Sequence, residues 1–177
     1  MEWNYDRYNW MTVGERLWQD NAERGYIAVS NDADDAWCMA VGQLVERWQA
    51  LPETKPAHIV VNVAKCGSGS AWSFYLAKHL ATLGCDTMAG KEAGSAGLFL
   101  FMAGTKRVCH PQTRFLFHGN LYRWMQSGAS DAERAAWFAG RTAMEYDWWL
   151  ETAQRNGPLE FGAKEALAWG VATEVAE

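Results

Sequence analysis

Along the chain the spacing of apolar positions switches back and forth between two periods. Tyr26 to Ser30 reads as a short strand. Asn31 or Asp32 then caps a helix whose apolar residues Trp37, Ala40, Val41, Leu44, Val45 and Trp48 recur every three or four positions. Leu51 to Pro56 breaks that helix. His58 to Asn62 is β-branched and apolar, as a buried parallel strand requires. The glycine- and serine-rich Cys66 to Ser70 leads into a second helix through about Leu83, and Cys85 to Ala89 is a third strand. Ala93 to Gly104 reads as a buried helix entered through Gly94 and Ser95, followed by short strands near Lys106 to Cys109 and Arg114 to His118. Ser130 and Glu133 form a capping box that opens a helix reaching about Arg155 and stopping at Gly157 and Pro158. At about 26 residues it would extend roughly 39 Å. A last helix, Ala163 to Trp169, precedes a strand at Val171 to Val175. Strands alternating with helices predict an α/β fold with right-handed crossovers.

Composition narrows the function. With 177 residues the chain has the length of one domain with its own core. A formal net charge of −5 and the lack of any Lys/Arg cluster exclude a sequence-independent nucleic-acid binder, which needs a basic face to displace counterions. The longest nearly uncharged run, Ala93 to Thr105, falls well short of the roughly 20 residues that span a bilayer. Met1 to Trp10 carries acids and aromatics in place of a basic, then apolar, leader, so a cytoplasmic location is expected. Cys38, Cys66, Cys85 and Cys109 are too scattered for a metal site or a disulfide framework and read as reduced thiols. Trp is in excess at 11 residues, consistent with either a large core or a subunit contact.

In open α/β sheets, chemistry sits where strands end and helices begin. Two loops have that address. Cys66-Gly67-Ser68-Gly69-Ser70 follows the HIVVN strand, and its glycines allow close backbone approach to a ligand, although such a loop also serves simply as a turn. Ala93-Gly94-Ser95-Ala96-Gly97 opens a wholly apolar helix, and small neighbours leave space around the Ser95 hydroxyl. A helix N-terminus favours an oxyanion there. The alternative is that Ser95 only caps the helix. Of the four histidines, His58 and His79 lie within elements and His110 precedes a proline, whereas His118 ends the apolar Phe115-Leu116-Phe117 run where the chain leaves the core. His118 is therefore the candidate base.

These residues stand in a recognisable context. The stretches E-R-G-Y-I-A-V, the Gly/Ser loop after HIVVN, A-G-S-A-G-L-F-L-F-M-A-G at 93–104, K-R-V…P-Q-T-R-F-L-F-H-G at 106–119 and F-G-A-K-E-A-L-A-W-G-V at 161–171 occur in the order found in the Clp protease. The sequence resembles that protease's proteolytic subunit, ClpP, within the ClpP/crotonase fold. The resemblance implies a repeated β-β-α superhelix with a long protruding handle helix, residues 1–25 forming an N-terminal segment and 26–177 a single ClpP-like α/β domain. It further implies Ser95 as nucleophile, His118 as general base, and the N–H groups of Gly67 and Ala96 as the oxyanion hole. The segment from Ser130 resembles the handle through which rings stack, with Trp148 and Trp149 in that contact.

Three departures from the family pattern stand out. The region expected to hold the triad aspartate reads Asn156-Gly157-Pro158-Leu159-Glu160, so Glu160, or else Asn156, is left to orient His118. Cys66 occupies a glycine position of the family loop. The N-terminal residues Trp3, Tyr5, Tyr8 and Trp10 do not read like the axial loops that greet the unfoldase.

The expected function is a serine endopeptidase of ClpP type acting on peptides or unfolded polypeptide. Its implied assembly is a homo-oligomer, a heptameric ring or double ring, with an AAA+ ATPase unfoldase as partner and no cofactor or metal. Two alternatives remain. One is a non-catalytic ClpP-like ring subunit with a structural or regulatory role; the other is a crotonase-type enzyme using the same oxyanion hole on an acyl-CoA thioester.

Overall fold

A computed structural model describes residues 21–29, 32–67, 69–119, 129–155 and 157–176. Strand β1 (Tyr26–Val29) leads to helix α1 (Asp35–Ala50). The cap of α1 is Asp34, whose side chain accepts the Trp37 N–H at 2.8 Å, and not Asn31 or Asp32. The reason is local: Ala33 forms a parallel bridge to Gly69 and its carbonyl accepts the Ser70 N–H, so the chain stays extended until Asp34. Asn31 lies outside the described residues. A short 3₁₀ turn, Pro52–Thr54, then separates α1 from β2 (Val60–Cys66), and α2 (Trp72–Thr82) follows the Gly/Ser loop.

β3 (Asp86–Gly94) runs five residues beyond the predicted strand. Its first half pairs with β4 (Arg107–Cys109) and its second half with β5 (Arg114–Phe117), all in parallel. The change of partner coincides with a bulge against β2, where the register moves from Val63↔Ala89 to Lys65↔Glu92. Gly90 permits it, since a Cβ there would stand 2.5 Å from the Ala64 carbonyl oxygen. Helix α3 (Ala96–Met102) begins only after Ser95, shorter than the predicted 93–104, and all its residues are buried.

The predicted handle is not one helix. Residues 131–154 form α4 (Asp131–Ala139) and α5 (Tyr146–Gln154), divided at Gly140 to Glu145. Arg141 turns inward there, its Nε donating to Met102 O at 2.7 Å and its Nη2 to Ala103 O and Gly104 O, which caps the C-terminal end of α3. Trp149 Nε1 donates to Thr142 Oγ1 at 2.9 Å, folding α5 back. The Trp149 ring then meets Phe138 at 4.6 Å and Phe117 at 4.8 Å, so this tryptophan is core and not a subunit contact. The predicted capping box at Ser130 and Glu133 is present.

Strand β6 (Leu159–Gly162), which the sequence pattern does not predict, pairs antiparallel with β5; α6 (Ala163–Ala168) and β7 (Glu174–Val175) complete the sheet beside β4. The strand order β1-β2-β3-β4-β7, with β5 and β6 branching from β3, leaves β3 central. Alternate residues such as Ile27, Val61, Val63, Ala93, Phe115 and Phe117 face the core, while Tyr26, Asp86, Met88 and Arg114 are exposed. No helix among the described residues is long and apolar enough to cross a membrane.

Candidate active site

The parallel pairing of β3 with β5 decides where the chemistry sits. Glu92 is in register with Arg114, Ala93 with Phe115 and Gly94 with Leu116, so both strands end at one level. Ser95 is the next residue after β3, and His118 is the next residue after β5. The Ser95 N–H donates to Leu116 O at 2.9 Å, extending the ladder by one bond and tying the serine to the strand that carries the histidine.

Ser95 has φ 49° and ψ −114°, and it is the one non-glycine residue with positive φ among the described residues. That backbone matches the first central position of a type II′ turn, normally reserved for glycine. An L-residue held there stores on the order of 1–3 kcal/mol of strain, which the surrounding packing must offset. The side chain makes no capping hydrogen bond, so the hydroxyl is not consumed by the helix it precedes. The cap reading of Ser95 therefore fails, and the sharp strand-to-helix turn presents a half-buried hydroxyl at the N-terminus of a buried helix.

The oxyanion candidates are brought to the same point by glycine contacts. A Cβ on Gly94 would stand 3.5 Å from the Gly67 α carbon, and one on Gly69 would stand 2.6 Å from the Ala96 Cβ. Gly97 lies directly on Cys66. The loop after β2 is thus seated on the first turn of α3, with Gly67 against Gly94 and Gly69 against Ala96. The Ala96 N–H belongs to the first helical turn and has no intrahelical acceptor. Two cations, Arg107 and Arg141, bind the carbonyls at the other end of α3, so partial positive charge at its N-terminus faces the hydroxyl while its negative end is neutralised. The Glu92 carboxylate lies beside Gly67, 2.5 Å from where a Cβ would be.

His118 is half-buried, and its Nδ1 lies 2.7 Å from the Gly119 carbonyl oxygen. No hydrogen bond joins the Ser95 hydroxyl to the imidazole in this structure; the two share adjacent strand ends without being engaged. Glu160 makes no hydrogen bond to His118. It is opposite Leu116 in the β5–β6 register, and its carboxylate pairs with the Arg114 guanidinium at 3.2 Å, one side-chain step toward the start of β5 and away from His118. Asn156 and Ser68 lie outside the described residues, as do Trp3, Tyr5, Tyr8 and Trp10. Among the other histidines, His110 accepts the Gln112 N–H and belongs to a turn. All four cysteines are buried and none is in a disulfide. Among the described residues no cluster of His, Cys, Asp or Glu can hold a metal ion.

Sequence reasoning missed Gly119, although the His118-Gly119 dipeptide carries the signal: a glycine immediately after a candidate base, at a close approach to two helices. It also missed Arg141, whose polar side chain gives no hint from its position that it reaches the carbonyls at the end of α3.

The mixed α/β architecture with its parallel sheet is similar to the ClpP fold. A point mutant of ClpP1 from Listeria monocytogenes is one solved structure sharing it, with a TM-score of 0.68 at 14% sequence identity, over 91% of this chain and 96% of that one. No family model matches the sequence. No curated protein matches it.

Proposed function

We propose that this chain is a serine endopeptidase of ClpP type, cleaving peptides or unfolded polypeptide within a ring of like subunits. The observation that carries the reading is Ser95 itself: a strained, uncapped hydroxyl at the N-terminus of a buried helix, beside a glycine loop and one strand end from a histidine. Ser95 Oγ attacks the scissile carbonyl while His118 Nε2 takes its proton. The N–H groups of Gly67 and Ala96 receive the oxyanion, and the imidazolium returns the proton to the leaving amine. Water, activated by the same imidazole, then releases the acyl group. The fold likeness to ClpP supports assembly into rings, for which an ATP-driven unfoldase is the natural source of unfolded substrate.

A second reading, a ring subunit without catalysis, is favoured by the disengaged Ser95 hydroxyl and by the Glu160–Arg114 pairing. One experiment separates the two. The folded, assembled protein is treated with a fluorophosphonate probe, with Ser95→Ala and His118→Ala as controls and the adduct located by mass spectrometry. Labelling at Ser95 that both variants abolish supports the peptidase; no labelling of the wild type sinks it.

A further inference from the structure

We infer that the Gly119 backbone carbonyl does for His118 what a carboxylate does in a Ser-His-Asp triad, holding the imidazole in the tautomer that leaves Nε2 free to accept a proton. The inference rests on the peptidase reading for its catalytic meaning, but its geometry is independent of it. The His118 Nδ1 to Gly119 O separation is 2.7 Å. A carbonyl oxygen can only accept, so a contact that short requires the proton on Nδ1, and the neutral ring then has its lone pair on Nε2. That is the state a general base must start from.

The acceptor is fixed by packing. A Cβ at position 119 would overlap the Ala153 carbonyl oxygen near the end of α5 and stand 2.8 Å from Asp131 Oδ1 at the start of α4. Glycine is therefore the residue that lets the chain pass between the two helix ends. Among the described residues no carboxylate bonds the His118 ring, and Glu160 is held by Arg114.

The chemistry separates two jobs that one carboxylate usually performs. In serine peptidases an asparagine in the acid's place lowers kcat about 10⁴-fold with geometry intact, because it selects the wrong tautomer. A carbonyl selects the right one. It supplies a dipole in place of a full negative charge, so the imidazolium formed during attack is stabilised less than in an Asp triad. The expected enzyme is competent without an acid and slower than one that has it.

The test uses the full chain with ¹⁵N-labelled histidine, read by long-range ¹H–¹⁵N correlation at a pH where the rings are neutral, with His118→Gln to assign the signal. The expected result is an Nδ1-protonated His118 whose ring proton lacks the extreme downfield position of a carboxylate-bound imidazole and does not move in Glu160→Gln. An Nε2-protonated ring overturns the inference. So does a far-downfield Nδ1 proton that relaxes to an ordinary position in Glu160→Gln or Asn156→Ala. The tautomer is read without turnover, so failure of the inference is distinguishable from failure of the peptidase reading. An Nδ1-protonated His118 in a protein that the fluorophosphonate probe does not label leaves the geometry standing and removes its catalytic role.

Discussion

Gly97, on the first turn of α3, lies against the backbone of Cys66, the last residue of β2, so that a Cβ at position 97 would overlap the Cys66 carbonyl and stand 2.8 Å from the Cys66 Cβ. This contact joins the helix that carries Ser95 to the loop that carries Gly67. Neither neighbour can yield: Cys66 is fully buried in the sheet and α3 is buried along its whole length. Gly97→Ala is therefore expected to cost about 1–3 kcal/mol as an overpacked core position. At about 2–4 °C per kcal/mol for a chain of this size, thermal denaturation should show a fall of a few degrees or more. The same variant should lose fluorophosphonate labelling, because the loop and the helix can no longer meet at the present distance. An unchanged melting temperature would mean that the contact is slack.

Ser95 presents the opposite trade. Its positive φ is a strained position for any residue with a Cβ, and glycine would occupy it without penalty. Ser95→Gly is expected to raise the melting temperature by roughly 2–4 °C, the equivalent of about 1 kcal/mol, while abolishing labelling. Ser95→Ala keeps the Cβ and should melt close to the wild type. A destabilised Ser95→Gly would show instead that the hydroxyl contributes to folding.

Much of this arrangement is legible in the sequence, and the reasons for the exceptions are specific. RFLFH is a short apolar run that ends in a polar residue, so the end of β5, and with it His118, follows from pattern alone, whereas HIVVN locates β2 but not its end, which lies at Cys66, four residues past Asn62. The continuation of β3 through Gly90, Lys91 and Glu92 does not follow from pattern: those residues fall between the predicted strand and the predicted helix, and they become strand by exchanging β4 for β5 as partner. The predicted handle fails for a related reason. Trp137, Phe138, Trp148 and Trp149 keep a helical spacing, while the break depends on Arg141 reaching carbonyls of Met102 to Gly104 far away in sequence. Glu160 stands out in the sequence only by elimination, and the antiparallel register of β6 on β5 is what reveals that Arg114 holds it.

Arg107 is the next residue whose role depends on distant partners. Its buried guanidinium donates to Val171 O at 2.7 Å, Gly104 O at 2.9 Å, Gly170 O at 2.7 Å and Arg141 O at 3.0 Å, and no carboxylate is among these acceptors. It holds the end of α3, the loop before α5 and the turn after α6 together by neutralising helix-end and turn carbonyls. Arg107→Met removes every donor and leaves buried carbonyls unpaired, at about 1–3 kcal/mol each for those that water cannot reach. A loss of about 3 kcal/mol or more is expected in urea denaturation. Arg107→Lys should recover only part of it, because one ammonium cannot reproduce the planar fork. A loss below about 1 kcal/mol in Arg107→Met would refute this role.

The buried thiols predict how stability depends on alkaline pH. Burial, with Asp35 and Asp34 adding to it, pushes the Cys38 thiol up to about 12, and burial pushes Cys85 up to about 11, both from an ordinary value of 9.0. A group whose folded pKa is raised contributes stability that is fully present below the unfolded value and is lost as pH climbs toward the folded one. Above pH 9 the unfolded chain releases these protons first, and stability falls by at most about 1.4 kcal/mol per pH unit for each thiol. Arg107, pushed down to about 10 by burial and by the nearby Arg141 charge, acts with the opposite sign and only above that pH. Denaturant midpoints measured between pH 8 and pH 10 should therefore decline, and the decline should be shallower in Cys38→Ala. At pH 8 a disulfide reagent such as DTNB should titrate none of the four cysteines in the folded protein and all four after unfolding. A fast-reacting native thiol, or a midpoint that rises through this window, would contradict the burial on which both expectations depend.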